Sequence, residues 1–347
     1  MRGDLERRYR RVLRLLPGWY REQWEEDMVA AFLDSWLTGD AAADAYIDKA
    51  ARPGWAETAS VAGLATRLYL GGAGTPRRYF AWGQAVRGAV LAVVLVRALW
   101  GLQTVVLLAA SHYRLLPGPP GAIVTVSPGL WPPAEWYTAG GAWIVIFAAL
   151  VGGHYRAARI IAVPAIALDL LWLVKGQIAG SLASPVGSWA FWVLLDLVPV
   201  AAMAAFHRDA PPAARRPWLL ALPASCLLVV GPPVAASLTG HSDWVPDTPG
   251  LCCILVVLLC LARAPRARSR RRADSGAWSL TLVLLGAVAG AYRIVSLGTY
   301  LPGRYLHDPR LISVGLAELV ILAAAVALVA PDAARAQTAL PALGQQR

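Results

Sequence analysis

The chain has 347 residues, of which 57% are hydrophobic and only 15% charged, with a mean hydropathy of +0.51. A water-soluble domain carries nearer a quarter of its residues as charges, so this composition excludes an ordinary soluble fold and points to membrane spans. The net charge of +11 is no mark of a nucleic-acid binder: residues 1–85 hold 12 basic against 11 acidic residues, and the excess, 20 against 10, lies among the apolar blocks that follow.

In chain order, residues 4–16 place Leu5, Tyr9, Val12, Leu13 and Leu16 on one helical stripe, with arginines over the rest of the surface. Pro17-Gly18 ends that helix. A second amphipathic helix is predicted from about Trp19 to Leu37, with Trp24, Met28, Phe32 and Trp36 four apart and an acidic flank of Glu22, Glu25, Glu26 and Asp27. A basic helix followed by an acidic one predicts an antiparallel hairpin to which opposite charge adds a little. "TGDAAADAY" reads as a turn or short helix, and "RPGWAETASVAGLATRLYLGG" opens a third helix near Pro53 or Gly54. Residues 1–80 thus form a head of about three helices, small enough to need the membrane or a partner to complete its core. No apolar core like that of a signal peptide precedes them, which predicts a cytoplasmic head.

Within "LERRYRRVLRLLPGWYREQWEEDM", the spacing of Leu15, Leu16, Pro17, Tyr20, Arg21, Glu25, Glu26 and Met28 resembles the short helical prefix domains, of the HAAS or permease-prefix type, in front of many bacterial membrane proteins. The whole chain, including "RPGWAETASVAGLATRLYLG", is similar to a group of bacterial polytopic membrane proteins with such a prefix. The resemblance implies a regulatory or docking head. The residues that would meet a cytoplasmic protein partner are Trp19, Tyr20, Arg21, Trp24, Glu25, Glu26 and Met28. Export permeases with this prefix usually carry a large extracytoplasmic domain. The longest outer loop here, 111–135, is too short for one, which argues against an ABC-permease role.

Eight apolar segments follow, at residues 86–110, 136–153, 160–178, 189–206, 218–238, 249–264, 278–300 and 310–330. The expected fold is therefore all-α. It comprises an integral membrane bundle of about eight transmembrane helices over residues 86–330, a small N-terminal cytoplasmic helical domain, and a disordered cytoplasmic tail at 331–347. With the head inside, loops 154–159, 207–217 and 265–277 face the cytoplasm and supply Arg156, Arg159, Arg208, Arg215, Arg216 and the run "RARSRRR". Opposite loops offer Arg114 and Arg304, with Arg310 at the edge of the last segment. That asymmetry predicts a multi-pass protein of the cell membrane with both termini cytoplasmic. It also makes "RARSRRR" a topology anchor, and no nucleic acid is expected as a partner. Gly231-Pro232-Pro233 should kink the fifth segment, and Gly286 and Gly290 have the spacing for close helix contact in the seventh.

Six ionisable residues fall inside these segments: Arg97, Asp169, Lys175, Asp196, Arg293 and Glu318. A charge at the bilayer centre costs about 2.5–3.5 kcal/mol, so each should have a partner. Depth along each helix matches Arg97 with Asp169, Lys175 with Asp196 and Arg293 with Glu318. These residues are either interhelical staples or the lining of a polar pathway. Cys226, Cys252, Cys253 and Cys260 sit in apolar segments without metal-site spacing and read as packing residues. His112, His241 and His307 come from separate loops, so no metal is expected, and no motif for a cofactor or for hydrolytic catalysis is present. The favoured function is a non-enzymatic membrane regulator, accessory or sensory module that docks a cytoplasmic protein through residues 1–75. The alternative is a small transporter or channel.

Overall fold

The fold comes from a computed structural model, which describes residues 3–36, 38–72, 74–113, 134–178, 186–207, 210, 215–232, 234–235, 247–268, 275–300 and 309–338. Among the described residues the secondary structure is all-α, with twelve α-helices, a 3-10 turn and a π segment.

The head has four helices rather than three: α1 (Asp4–Leu13), α2 (Gly18–Trp36), α3 (Ala41–Ala50) and α4 (Trp55–Tyr69). The segment read as a turn or short helix is α3, and it starts where the Asp40 side chain accepts the Ala42 N–H at 3.0 Å. α1 stops at Leu13, three residues early, because tight 12→15 and 13→16 backbone bonds turn the chain before Pro17. Its stripe of Leu5, Tyr9 and Leu13, continued by Leu16, buries against Val29 and Phe32 of α2 and Val61, Ala65 and Leu68 of α4. Tyr9 and Phe32 stack with ring centres 3.9 Å apart. Leu5 and Leu13 are fully buried, so the head closes a core from its own residues.

Polar side chains lock this head together. Asp48 of α3 accepts the N–H groups of Asp4 and Leu5, each at 3.0 Å, and so caps α1 from another helix. Arg8 of α1 returns the favour at the end of α3, donating to the carbonyls of Ala51 at 2.5 Å and Lys49 at 2.9 Å. Arg10 joins α1 to the acidic flank of α2, lying 3.2 Å from Glu25 and 2.7 Å from Glu26.

The remainder comprises α5 (Arg77–His112), α6 (Ala134–Gly152), α7 (Tyr155–Ile178), α8 (Val186–Ala202, then the 3-10 turn Met203–Ala205), α9 (Arg215–Ser225, then the π segment Cys226–Val230), α10 (Thr248–Arg268), α11 (Ser275–Tyr300) and α12 (Pro309–Thr338). Three stretches are long and apolar enough to cross a membrane: Arg77–Leu107, Gly276–Gly298 and Ile312–Thr338. The expected count of eight is therefore corrected to three candidate spans among the described residues. The described apolar parts of α6, α8 and α10, Gly140–Gly152, Val193–Ala205 and Thr248–Ala264, are shorter. α7 runs unbroken through segment 160–178 with Pro164, Asp169 and Lys175 inside its apolar run, and segment 218–238 changes from α to π winding after Pro223.

Two apolar cores hold this body together. Val94, Leu99, Ile146, Leu150 and Ala162 centre one on α5–α7, and Cys253, Cys260, Leu322 and Val329 centre the other on α10–α12. Cys253 and Cys260 are thus packing residues, and all four cysteines are free thiols. Gly286 meets α12 so closely that a Cβ there would lie 2.5 Å from Val326 Cγ2. Closer still is the crossing of α5 and α6, where a Cβ at Gly101 would lie 2.4 Å from the Gly140 carbonyl oxygen.

The helix ends nearest the head are closed by arginines. Arg87 donates to Leu70 O at 3.3 Å and Ala205 O at 3.1 Å, which ties α4, α5 and the turn after α8. Arg159 donates to Met203 O and Phe206 O, and Arg215 to Gly152 O. The C-terminal end of α12 lies at the same end of the bundle, where Ala333 and Ala336 pack with Ala81 and Ala85 of α5. The tail expected from residue 331 is instead helical as far as Thr338, with Pro331 inside α12 and Asp332 buried beside Arg335. Residues 339–347 of that tail lie outside the described residues.

Candidate functional site

Two clusters gather the charged residues of the apolar body. In the first, Arg97 of α5 donates to Asp169 Oδ2 of α7 at 2.8 Å, and its Nη2 lies 2.6 Å from Asp196 Oδ1 of α8. The Asp196 contact is a charge contact, out of line for a hydrogen bond. Trp143 of α6 donates its indole N–H to the same Asp169 oxygen at 3.0 Å, and the guanidinium lies 5.1 Å from that indole ring. Four helices therefore converge on one cation.

The second cluster repeats this composition with different helices. Arg293 of α11 donates to Asp247 Oδ2 at 2.5 Å, and its Nε lies 2.8 Å from Glu318 Oε2 of α12. Asp247 is also the residue that starts α10, since its Oδ1 accepts the Gly250 N–H at 3.0 Å. Two glycines make room for the cluster. A Cβ at Gly250 would lie 2.7 Å from Glu318 Oε1, and one at Gly315 would lie 3.0 Å from Arg293 Nε. The Arg293 side chain is only 4% exposed, whereas Asp247 is 35% exposed.

The expected pairs Arg97–Asp169 and Arg293–Glu318 are thus in contact. Asp196 meets Arg97, and the expected partnership with Lys175 falls outside the described side chains. Asp247 is the residue the depth matching missed. The signal was present: an Asp ahead of "TPG" is the signature of a helix start. In each cluster one guanidinium fixes the register of several helices, which is the physical capacity of a staple.

Between α5, α9, α10 and α11 lies a cavity of about 640 Å³. Arg97 reaches its wall, but Asp169, Asp196, Asp247 and Glu318 are not among its described lining residues.

Of the head's expected docking residues, Trp24 and Glu26 are exposed and the other five half-buried. Trp19, Tyr20 and Met28 pack on the head core, Glu25 and Glu26 are engaged by Arg10, and Arg21 lies 3.8 Å from Glu25. Of that set Trp24 is the open aromatic, at 43% exposure. More open are Trp55 and Tyr46, at 85% and 74%, which the sequence pattern did not single out. Neither falls on the helical stripe that marked the candidates, and their exposure depends on how α3 and α4 dock.

No protein family, no curated protein and no solved structure matches the chain. What fold and composition define is a class: a protein that is all-α among the described residues, with three candidate membrane spans among them, and hence lipid contact through a multi-pass apolar body.

Proposed function

We propose that this chain is a non-enzymatic integral membrane protein, a regulatory or accessory module of the cytoplasmic membrane whose head docks a cytoplasmic protein. The observation that carries this reading is the pair of exposed aromatics, Trp55 and Tyr46, on a head whose core is already closed. Exposed large aromatics are costly to leave in water and are favoured anchors of protein interfaces. Exposed Glu22, Asp27 and Asp34 on α2 add negative charge, which fits a partner with a basic rim. Arginines at the head end of the bundle support a cytoplasmic placement of the head and of the nearby end of α12. The clusters around Arg97 and Arg293 serve as staples in this reading. A transport path through them gains nothing from the cavity, which reaches neither pair of carboxylates.

A photoreactive amino acid placed at Trp55, Trp24 or Tyr113 in intact cells tests the proposal. One discrete protein adduct from positions 55 and 24, absent from position 113 at the far end of α5, is expected. The same adducts from all three positions, or none from the head, would contradict it.

A further inference from the structure

We propose that one end of the head is a docking face for an anionic lipid surface, the near leaflet of the bilayer that α5 crosses. The turn between α1 and α2, the last turn of α4 and the first turn of α5 form that face. The inference rests on the membrane reading above and gives a partner to a part of the head that the docking of a cytoplasmic protein leaves unassigned.

α5 sets the level of the face. From Arg87 to Leu107 this helix rises about 30 Å, which matches a hydrocarbon core of about 30 Å. The ten residues before Arg87 then stand in the headgroup layer and above it. Their sequence, "RRYFAWGQAV", suits that place, with two arginines, three aromatics and a glutamine. The head is fixed beside them. Arg87 donates to Leu70 O at 3.3 Å, and Gly83 has no room for a side chain because the same carbonyl lies against it. Tyr79 joins the rings of the head, 5.7 Å from Tyr69 at the end of α4 and 6.4 Å from Trp19 at the start of α2. Three helix ends of the head therefore sit next to the first turns of a candidate span.

Apolar exposure and charge then name the partner. Leu15, Tyr69 and Phe80 are 47%, 41% and 43% exposed. Arg14, Arg67, Arg77 and Arg78 are exposed on the same helix ends, and the Arg78 guanidinium lies 4.6 Å from the Tyr79 ring centre. Residues 11–22 and 64–80 carry six arginines and a single carboxylate, Glu22, whereas residues 23–63 carry eight carboxylates and two cations. The head is thus polarised, with its positive part at the start of α5. α12 packs here against α5 through Ala333 and Ala336, and its carboxylate, Asp332, is buried and engaged by Arg335. Exposed apolar side chains among arginines fit an anionic leaflet: the rings and Leu15 enter the headgroup layer while the guanidinium groups meet its phosphates. A nucleic acid would use the arginines but not Leu15 or Phe80, and the phosphates of the leaflet would repel it.

The test uses the full chain in vesicles of phosphatidylcholine and phosphatidylglycerol at 3:1, or of phosphatidylcholine alone. A fluorescent amino acid is placed in turn at Leu15, Phe80 and Tyr46, the last on α3, which meets the opposite end of α1 through Asp48. A trace of phosphatidylcholine with a nitroxide on its headgroup quenches fluorophores that reach the headgroup layer. In mixed vesicles, quenching at position 15 should be at least threefold that at position 46. In phosphatidylcholine alone it should fall by half or more. Arg14→Gln, Arg77→Gln and Arg78→Gln together should reproduce that fall in mixed vesicles, and the three lysine substitutions should not. Quenching at position 15 no stronger than at position 46 in mixed vesicles would overturn the proposal, as would equal quenching there with and without phosphatidylglycerol. Both comparisons keep every arginine in place, so neither depends on the folding of the triple variant. Position 80 separates two failures. No quenching there contradicts the membrane reading, whereas quenching at position 80 without quenching at position 15 contradicts only the docking face.

Discussion

Asp48 shows how a single side chain organises the head. The backbone N–H groups of Leu5 and then Asp4 hold its carboxyl below the usual carboxylate range, with Arg8 and Arg7 adding a smaller pull. A carboxyl depressed on folding contributes stability that is complete above its unfolded value, near 3.9, and is lost as pH falls through the folded value. Asp48→Ala should therefore weaken the head by about 2 kcal/mol at neutral pH and remove that part of its acid sensitivity. Amide exchange of α1 measured from pH 6 to pH 3 checks both effects; a variant with unchanged exchange would mean the cap contributes nothing. Arg293 is the corresponding residue in the body. Arg293→Gln leaves Asp247 and Glu318 facing each other and should cost about 3–5 kcal/mol. Glu318→Gln should cost less, since Asp247 still meets the guanidinium. The double variant should lose less than the sum of the two, and losses additive within about 0.5 kcal/mol in detergent unfolding would show that the two residues do not interact.

At the scale of elements, glycines separate close packing from open helix surface. Gly101→Leu would force α5 and α6 apart where their backbones touch, and should destabilise the body by about 3 kcal/mol. Gly63 of α4 meets nothing within 4 Å of an added Cβ. Gly63→Ala should instead stabilise α4 by about 0.5–1 kcal/mol, and opposite signs in the two melting shifts are the check. Elements were also where the sequence was most and least legible. The stripe from Leu5 to Leu16 located α1, and the close contact of Gly286 with α12 followed from small-residue spacing. Apolar runs suggested eight spans where three described helices are long and apolar enough, because a run by itself does not register the ionisable and proline residues within it or a change of winding. Pro164, Asp169 and Lys175 lie inside one apolar run, and another changes winding at residues 226–230. The tail misled for a related reason: Pro331 marks no boundary in α12, which continues to Thr338. Depth along a helix was legible enough to bring Arg97 to Asp169 and Arg293 to Glu318. It carried no information on Asp247, which stands at the start of α10 rather than within a segment.

In the whole molecule, a closed four-helix head is fastened to an apolar body through Arg87, with α5 leading away from it. Trp55 lies at the start of α4 in the head, and Tyr113, 65% exposed, follows the far end of α5. The docking proposal requires a bilayer between those two points, with the head on the cytoplasmic side. The most direct test labels Trp55→Cys and Tyr113→Cys separately with a membrane-impermeant maleimide, in a chain whose four native cysteines are replaced. In intact cells Tyr113→Cys should label while Trp55→Cys stays dark until the membrane is opened. Labelling of Trp55→Cys in intact cells, or protection of both positions, would contradict the account.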